Sequence, residues 1–312
     1  MSAAPTVAAI DIGTNSVKLL VRHGSDRFSD AIAVRLGEGM HATRELQPEP
    51  IARTLDALRR LRSLADERGV ARLGVVATSA TRDARNRDAF LDAAGEILGT
   101  RPIVLSGEEE GRLAYSGSCI DLPDGVGSPR LVVDIGGGST ELVVGADDAL
   151  SVASINLGCV RLTESHLRSD PPRPDELTNA IGLVQDHLDD VIRDLPGILD
   201  VASIVGIGGT ITTVAAVEVG LADYEALHGF WLSRHAVEDV FRTLATERLS
   251  DRVHNPGLPA DRATVIVGGL CVLVAVLRKL RADGLTLSRR AAVDGICAAL
   301  VEDRWPLPGT AP

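Results

Sequence analysis

Residues 7–21 and 130–144 are two versions of one segment. Val7-Ala-Ala-Ile-Asp-Ile-Gly-Thr-Asn-Ser-Val-Lys-Leu-Leu-Val21 lies over Arg130-Leu-Val-Val-Asp-Ile-Gly-Gly-Gly-Ser-Thr-Glu-Leu-Val-Val144 at an offset of 123 residues. The overlay matches Asp11 with Asp134, Gly13 with Gly136 and Ser16 with Ser139. Each copy reads as an apolar strand, an Asp-Ile-Gly turn and a second apolar strand. Repeat arrays recur every ~20–50 residues; this spacing is that of a whole domain. The reading is a duplicated α/β protein of two lobes with a cleft between them.

The turns carry the chemistry. Gly, Ser and Thr let successive backbone N–H groups point into one concave nest that holds phosphate oxygens. An Asp at the strand end suits hydrated Mg²⁺, which takes one or two carboxylates together with water and substrate phosphates. One such turn is a weak signal, because glycine-rich hairpins are common. Two at equivalent places are much stronger, against the alternative of two tight hairpins with capping aspartates. A third cluster, Gly206-Ile-Gly-Gly-Thr210, follows the apolar strand Ala202–Val205 and leads into a helix over Ile211–Val219. A helix start after a glycine-rich turn is a ready anion site, although close helix–strand packing gives the same pattern.

Around these loops strands and helices alternate. In the first lobe strands are expected at Val7–Ile12, Val17–Arg22, near Ala31–Arg35, at Arg72–Ala77 and at Ile103–Leu105, with helices at Ile51–Arg68 and Asp83–Leu98. Ser106-Gly-Glu-Glu109 opens another helix with capping-box spacing. The connector Leu122-Pro-Asp-Gly-Val-Gly-Ser-Pro129 sets the domains at 1–122 and 123–312. The second lobe reads as strands at Leu131–Asp134, Glu141–Gly145 and Leu150–Asn156, followed by helices at Gly158–Leu167, Glu176–Leu195, Ser233–Thr246, Arg262–Arg281 and Ala291–Val301.

Two clusters are candidates for the reaction. Glu108-Glu109-Glu110 sits in the first turn of a helix, where carboxylates also complement the dipole. If Glu109 completes the cap, Glu110 is the freer candidate for a base that activates water. Thr78-Ser-Ala-Thr-Arg-Asp-Ala-Arg-Asn86 follows a strand and starts a helix; Arg82 or Arg85 can fork onto a phosphate, or simply line a solvated helix start. Arg262, after the polar loop beginning at His254, is left between a packing role and a subunit contact.

Composition excludes other classes. Lys+Arg 32 against Asp+Glu 43 gives −11, so the surface as a whole is not a basic footprint for nucleic acid. Four cysteines, Cys119, Cys159, Cys271 and Cys297, lack any CxxC and point to neither zinc nor a disulfide framework. Reduced thiols and no export signal fit a cytoplasmic protein. The apolar window Val265–Leu277 is 13 residues, short of the ~20 a membrane span needs, and reads as a core helix.

Taken together, these motifs resemble the exopolyphosphatase / guanosine-pentaphosphate phosphatase family, of the acetate kinase–sugar kinase–heat-shock–actin fold, in its short, two-domain class. The matching pieces are Asp11–Ser16, Ala77–Asn86, Ser106–Arg112, Asp134–Glu141, Gly158–Thr163, Gly206–Thr210 and Pro256–Arg262, in the expected order. The resemblance implies an actin-like duplicated α/β fold, with the helix Ala291–Val301 folding back toward the first lobe. It implies removal of terminal orthophosphate from inorganic polyphosphate, short chains in particular. The nearest alternative is the 5′-phosphate of guanosine pentaphosphate, with guanosine tetraphosphate as a related ligand and a place in the stringent response. Glu110 would be the base; Asp11, Asp134 and Glu141 would surround Mg²⁺ (or Mn²⁺) and the attacking water. Gly13, Thr14, Asn15, Ser16, Arg82, Gly136, Gly137, Gly138, Ser139, Gly208, Gly209 and Thr210 would bind phosphates. Relatives imply a homodimer. Thr264 stands where many relatives have Asp, which leaves that loop's role open. A sugar or acid kinase, or a non-hydrolytic actin-like module that binds a nucleotide or alarmone, would share the two Asp-Gly loops.

Overall fold

The computed structural model describes residues 5–221 and 223–306; residues 1–4 and 307–312 of the two predicted domains lie outside them. The chain divides into two compact units, one running to Gly117 and resuming at Ala292, the other Ser118–Ala291. Each has its own sheet and its own core.

In the first unit β1 (Val7–Ile12) and β2 (Ser16–His23) form an antiparallel hairpin extended by β3 (Asp26–Ala33). After α1 (Met40–Thr43) and α2 (Pro48–Glu67), β4 (Arg72–Ala77) returns parallel to β1. Then come α3 (Ser79–Asp83), α4 (Arg87–Leu98), β5 (Ile103–Val104) and α5 (Gly107–Ser118). The sheet order is β3-β2-β1-β4-β5.

The second unit repeats this plan. β6 (Arg130–Ile135), β7 (Thr140–Gly145) and β8 (Ala149–Ile155) form the antiparallel meander. α6 (Cys159–His166) and α7 (Pro174–Asp194) precede β9 (Ser203–Ile207), which lies parallel to β6. α8 (Gly208–Val219), a 3₁₀ turn at Glu225–Leu227, β10 (Trp231–Ser233), α9 (Arg234–Thr246), α10 (Leu249–Arg252), α11 (Ile266–Lys279) and β11 (Gly284–Leu287) complete it. Its sheet, read from the far edge, is β8-β7-β6-β9-β11 with β10 added at the end. Five strands therefore recur in the same order and the same relative directions, which is the duplicated actin-like α/β class.

The last helix, α12 (Ala292–Val301), belongs to the first unit and explains why β1 is buried at every position. Side chains alternate across a strand. Ala8, Ile10 and Ile12 pack with Leu58, Leu61, Phe90 and Leu91 from α2 and α4. Val7 and Ala9 pack on the other face with Ile296, Cys297 and Leu300 of α12. Arg27 of β3 fixes that helix through two nitrogens to the buried Asp294 carboxylate, at 3.1–3.3 Å. In the second unit the apolar window at 265–277 is core: every residue of α11 from Ile266 to Leu277 is buried. No helix among the described residues is long and apolar enough to cross a membrane.

Three sequence expectations need correction. β3 begins at Asp26, not near Ala31, because its polar outer residues hide the strand from apolar periodicity. The helix expected over 83–98 is two, interrupted at Ala84, whose backbone is extended (φ −78°, ψ 132°). There Asn86 exchanges hydrogen bonds with the Leu46 backbone, at 2.9 and 3.0 Å, and Arg85 N–H donates to Arg44 C=O. Finally, β10 at the sheet edge and β11 beside it are too short for a period to register.

Candidate functional site

In the first unit the hairpin turn is pinned from below. Gly13 N–H donates to Ser16 C=O at 3.1 Å, while Asn15 C=O accepts from Val34 and Arg35, and Thr14 C=O from Gly37. Thr14 Oγ1 accepts from Ala80 N–H at 3.2 Å, which ties the turn to α3. The amides of Thr14 and Asn15 meet no acceptor among the described residues. The hairpin and the helix α3 tied to it also carry buried polar atoms without hydrogen-bond partners: Asp11 Oδ1, both Asn15 side-chain atoms, Ser79 Oγ and Thr81 Oγ1. Such atoms are rare in folded proteins and mark a place where water, an ion or a ligand belongs. Asp11 is buried, which pushes its carboxyl above the usual range; Lys18, directly opposite on β2 with Nζ 3.6 Å from Oδ2, opposes that shift.

The acidic triplet resolves by side-chain direction. Ser106 and Glu109 form the reciprocal cap that their spacing predicts: Ser106 N–H and Oγ–H donate to Glu109 Oε2 at 2.7 Å each, and Glu109 N–H donates to Ser106 Oγ. Glu108 pairs with Arg112 at the surface. Glu110, about 100° further round the helix than Glu109, turns to Arg82. Arg82 Nη1 donates to Glu110 Oε2 at 3.0 Å and to Leu105 C=O at 2.8 Å. Both side chains retain some exposure, 20% for Arg82 and 14% for Glu110. Arg85 is exposed on the linker between α3 and α4.

In the second unit the matching turn is anchored differently. Gly136 N–H donates to Ser139 C=O at 3.0 Å. The carbonyls of Gly136 and Gly137 accept from Cys159, Val160 and Arg161, so they satisfy the first turn of α6. The α6 N-terminus is thereby occupied by protein. What remains is a run of three amides, Gly137, Gly138 and Ser139, with no acceptor among the described residues. Asp134 and Glu141 stand directly opposite one another on β6 and β7. Glu141 is 1% exposed, and its Oε1 accepts from Ser154 Oγ–H at 2.8 Å. Opposed like charges disfavour folding unless something positive joins them.

The third glycine cluster lies against this pair. Gly208 begins α8 with φ +89°, and a Cβ there would meet Asp134 Oδ1 at 2.5 Å, so only glycine lets the helix start pass this close. Over the next residue lies Arg262: a Cβ at Gly209 would come within 2.0–2.2 Å of its guanidinium atoms. Its backbone is bonded to Pro259, Val265 and Ile266, but the Arg262 guanidinium forms no hydrogen bond or ion pair among the described residues. A half-buried guanidinium resting on a helix start, without a carboxylate, is an anion site in waiting. The sequence reading left Arg262 open because nothing local shows where a loop residue lands. Thr210 is buried with its side chain turned toward Gly269 and the Cys159 thiol, so only its backbone can face a ligand.

Among the described residues no group of three His, Cys, Asp or Glu side chains is gathered as a metal cage. Mg²⁺ does not require one, since it keeps water and shares one or two carboxylates with substrate phosphates. The opposed Asp134 and Glu141 fit that donor set, as does the unpartnered Oδ1 of Asp11.

A model of the Ppx/GppA phosphatase family matches residues 22–303. Exopolyphosphatase 2 of Mycobacterium tuberculosis is 38% identical, with the match covering 94% of this chain and 98% of its own. The guanosine-5′-triphosphate,3′-diphosphate pyrophosphatase of Vibrio atlanticus is 32% identical over 96% of this chain, which spans 60% of that relative. Among solved structures, an exopolyphosphatase-like protein superposes with a TM-score of 0.91 at 33% identity, covering 96% of this chain and 99% of that one. The Ppx/GppA family member of Aquifex aeolicus gives a TM-score of 0.77 at 31% identity, covering 96% and 97%.

Proposed function

The chain belongs to the Ppx/GppA phosphatase family, and from that premise we propose that it is an exopolyphosphatase, removing terminal orthophosphate from inorganic polyphosphate. The observation that carries the reading is the run of unpaired amides at Gly137, Gly138 and Ser139 beside the opposed Asp134 and Glu141. Amides fixed in a turn hold anionic oxygens without reorganising, which is what a charged, loosely bonded phosphoryl transition state requires. The turn at Gly13–Ser16 offers Thr14 and Asn15 amides for another phosphate. Gly208 and Gly209, with Arg262 above them, offer the start of a helix. Glu110 takes the proton from the attacking water. Asp134, Glu141 and Asp11 are the residues to hold Mg²⁺ or Mn²⁺, which when bound neutralises phosphate oxygens and lowers the pKa of water. The net charge of −11 does not oppose a polyanion, because the local field decides that encounter.

The 32% identical relative favours a second reading, release of the 5′-phosphate of guanosine pentaphosphate, which would connect the chain to the stringent response. One assay separates the two. Orthophosphate release is measured with Mg²⁺ on short polyphosphate, long polyphosphate, guanosine pentaphosphate and ATP. Fastest release from polyphosphate is expected. Release from guanosine pentaphosphate alone would install the second reading, and release from none would remove both.

A further inference from the structure

Arg82 holds Glu110 with one nitrogen while the rest of its guanidinium meets no acceptor among the described residues. Nη1 carries two hydrogens, and two acceptors take them: Leu105 C=O at 2.8 Å and Glu110 Oε2 at 3.0 Å. The remaining donors, Nε–H and the two on Nη2, have no acceptor among the described residues. Nε and Nη2 form the edge that matches two oxygens of a phosphate side by side. The group is also immobilised. Its stem lies in the short helix α3, whose start is tied to the hairpin turn through Ala80 N–H and Thr14 Oγ1 at 3.2 Å. The carbonyl of Arg82 in turn accepts from Arg87 Nη1 at 3.0 Å. Leu105 C=O fixes one corner of the plane independently of Glu110.

We propose that Arg82 is the positioning residue that sets Glu110 against the phosphoryl group under attack: one corner orients the carboxylate, and the Nε–Nη2 edge receives two oxygens of that group. This deepens the proposed hydrolysis and rests on it. A guanidinium is planar and rigid, so carboxylate and phosphate on one cation have a fixed separation. The base then reaches only the water beside a phosphoryl group seated on that edge. A flexible ammonium offers charge without this geometry.

The test is a double-mutant cycle on the full chain with Arg82→Gln, Arg82→Lys, Glu110→Gln and Arg82→Gln/Glu110→Gln, each first matched to wild type in thermal midpoint. Turnover is read as orthophosphate release, and binding of inorganic phosphate by calorimetry. Glu110→Gln alone should lower kcat by ~10²–10⁴-fold, and Arg82→Gln by ~10²-fold through lost orientation. The double variant should be slower than Glu110→Gln by much less than the ~10²-fold that Arg82→Gln costs alone, since a base that is absent cannot be mispositioned and only the phosphate contact is left to lose. Arg82→Gln should weaken phosphate binding in both the wild-type and the Glu110→Gln backgrounds. Arg82→Lys should restore much of that binding but little of kcat. Losses that multiply in the double variant, or phosphate affinity indifferent to Arg82, would overturn the proposal. A wild-type protein that releases phosphate from none of the four substrates would instead end the proposed function, and the calorimetric arm would still report whether the edge binds phosphate.

Discussion

The two units share a strand order but carry opposite charges at one position of the hairpin that defines them. Asp11 faces Lys18 across the first hairpin, and Asp134 faces Glu141 across the second; Lys18 and Glu141 are equivalent at the offset of 123. The first pair is neutralised within the protein, with an ion pair at 3.6 Å. The second places two carboxylates opposite one another, with Glu141 also accepting from Ser154. The two hairpins thus carry opposite charges at one equivalent position, and under the proposed function the divalent cation belongs to the second. The supports diverge too. The first turn is held by the chain at 34–37 and by α3, the second by lending its carbonyls to the start of α6.

This contrast can be broken by exchanging the charges. Glu141→Lys copies the first hairpin into the second and should lower orthophosphate release by at least ~10³-fold, since several kcal/mol of metal-derived stabilisation goes with it. Thermal midpoints taken with and without Mg²⁺ should then coincide; a variant that keeps a tenth of its turnover would sink the assignment. Next in size is the closure of the first unit. Asp294→Ala leaves Arg27 partly buried without its carboxylate and should cost about 3–5 kcal/mol. Urea unfolding followed by hydrogen exchange should show this loss in the first unit, with β6–β9 unaffected. Gly208→Ala forces a side chain into left-handed backbone and should cost about 1–3 kcal/mol, while its methyl meets Asp134. A substitution that leaves both the denaturation midpoint and Mg²⁺ affinity unchanged would refute this close approach.

The smallest effect concerns pH. Burial raises the Asp11 carboxyl above its unfolded value, so in that window the folded state binds the proton more readily. Its favourable contribution is full below the unfolded pKa and is lost as pH rises through the folded one. Asp11→Asn removes that dependence. Its midpoint should exceed the wild-type value by a margin that grows as pH rises from acid toward neutrality, reaching about 2 °C. Parallel curves for the two proteins would show that Asp11 is not the group responsible.

Much of this was legible in the residues. The Asp-Ile-Gly repeat located both hairpins, and β1 and β4 fall on the expected residues, because glycines and strand-length apolar runs bound them tightly. The Ser106/Glu109 spacing also determined which glutamate would be left to turn toward Arg82. Other parts depend on contacts distant in sequence. The break at Ala84 comes from bonds to residues 44 and 46, and Arg262 acquires its meaning only by lying on Gly209. The helix α8 starts at Gly208, three residues before its apolar period begins, because two glycines and a threonine give hydropathy nothing to count.

The sequence contains two lysines among 32 cationic residues, Lys18 and Lys279. Amine-directed acylation would therefore meet few side chains. Lys279 is paired with Asp189 on the surface of the second unit. At Lys18 the same acyl group would erase the charge that faces Asp11 across the hairpin, so a modification of one amine would reach the buried carboxylate of the first turn.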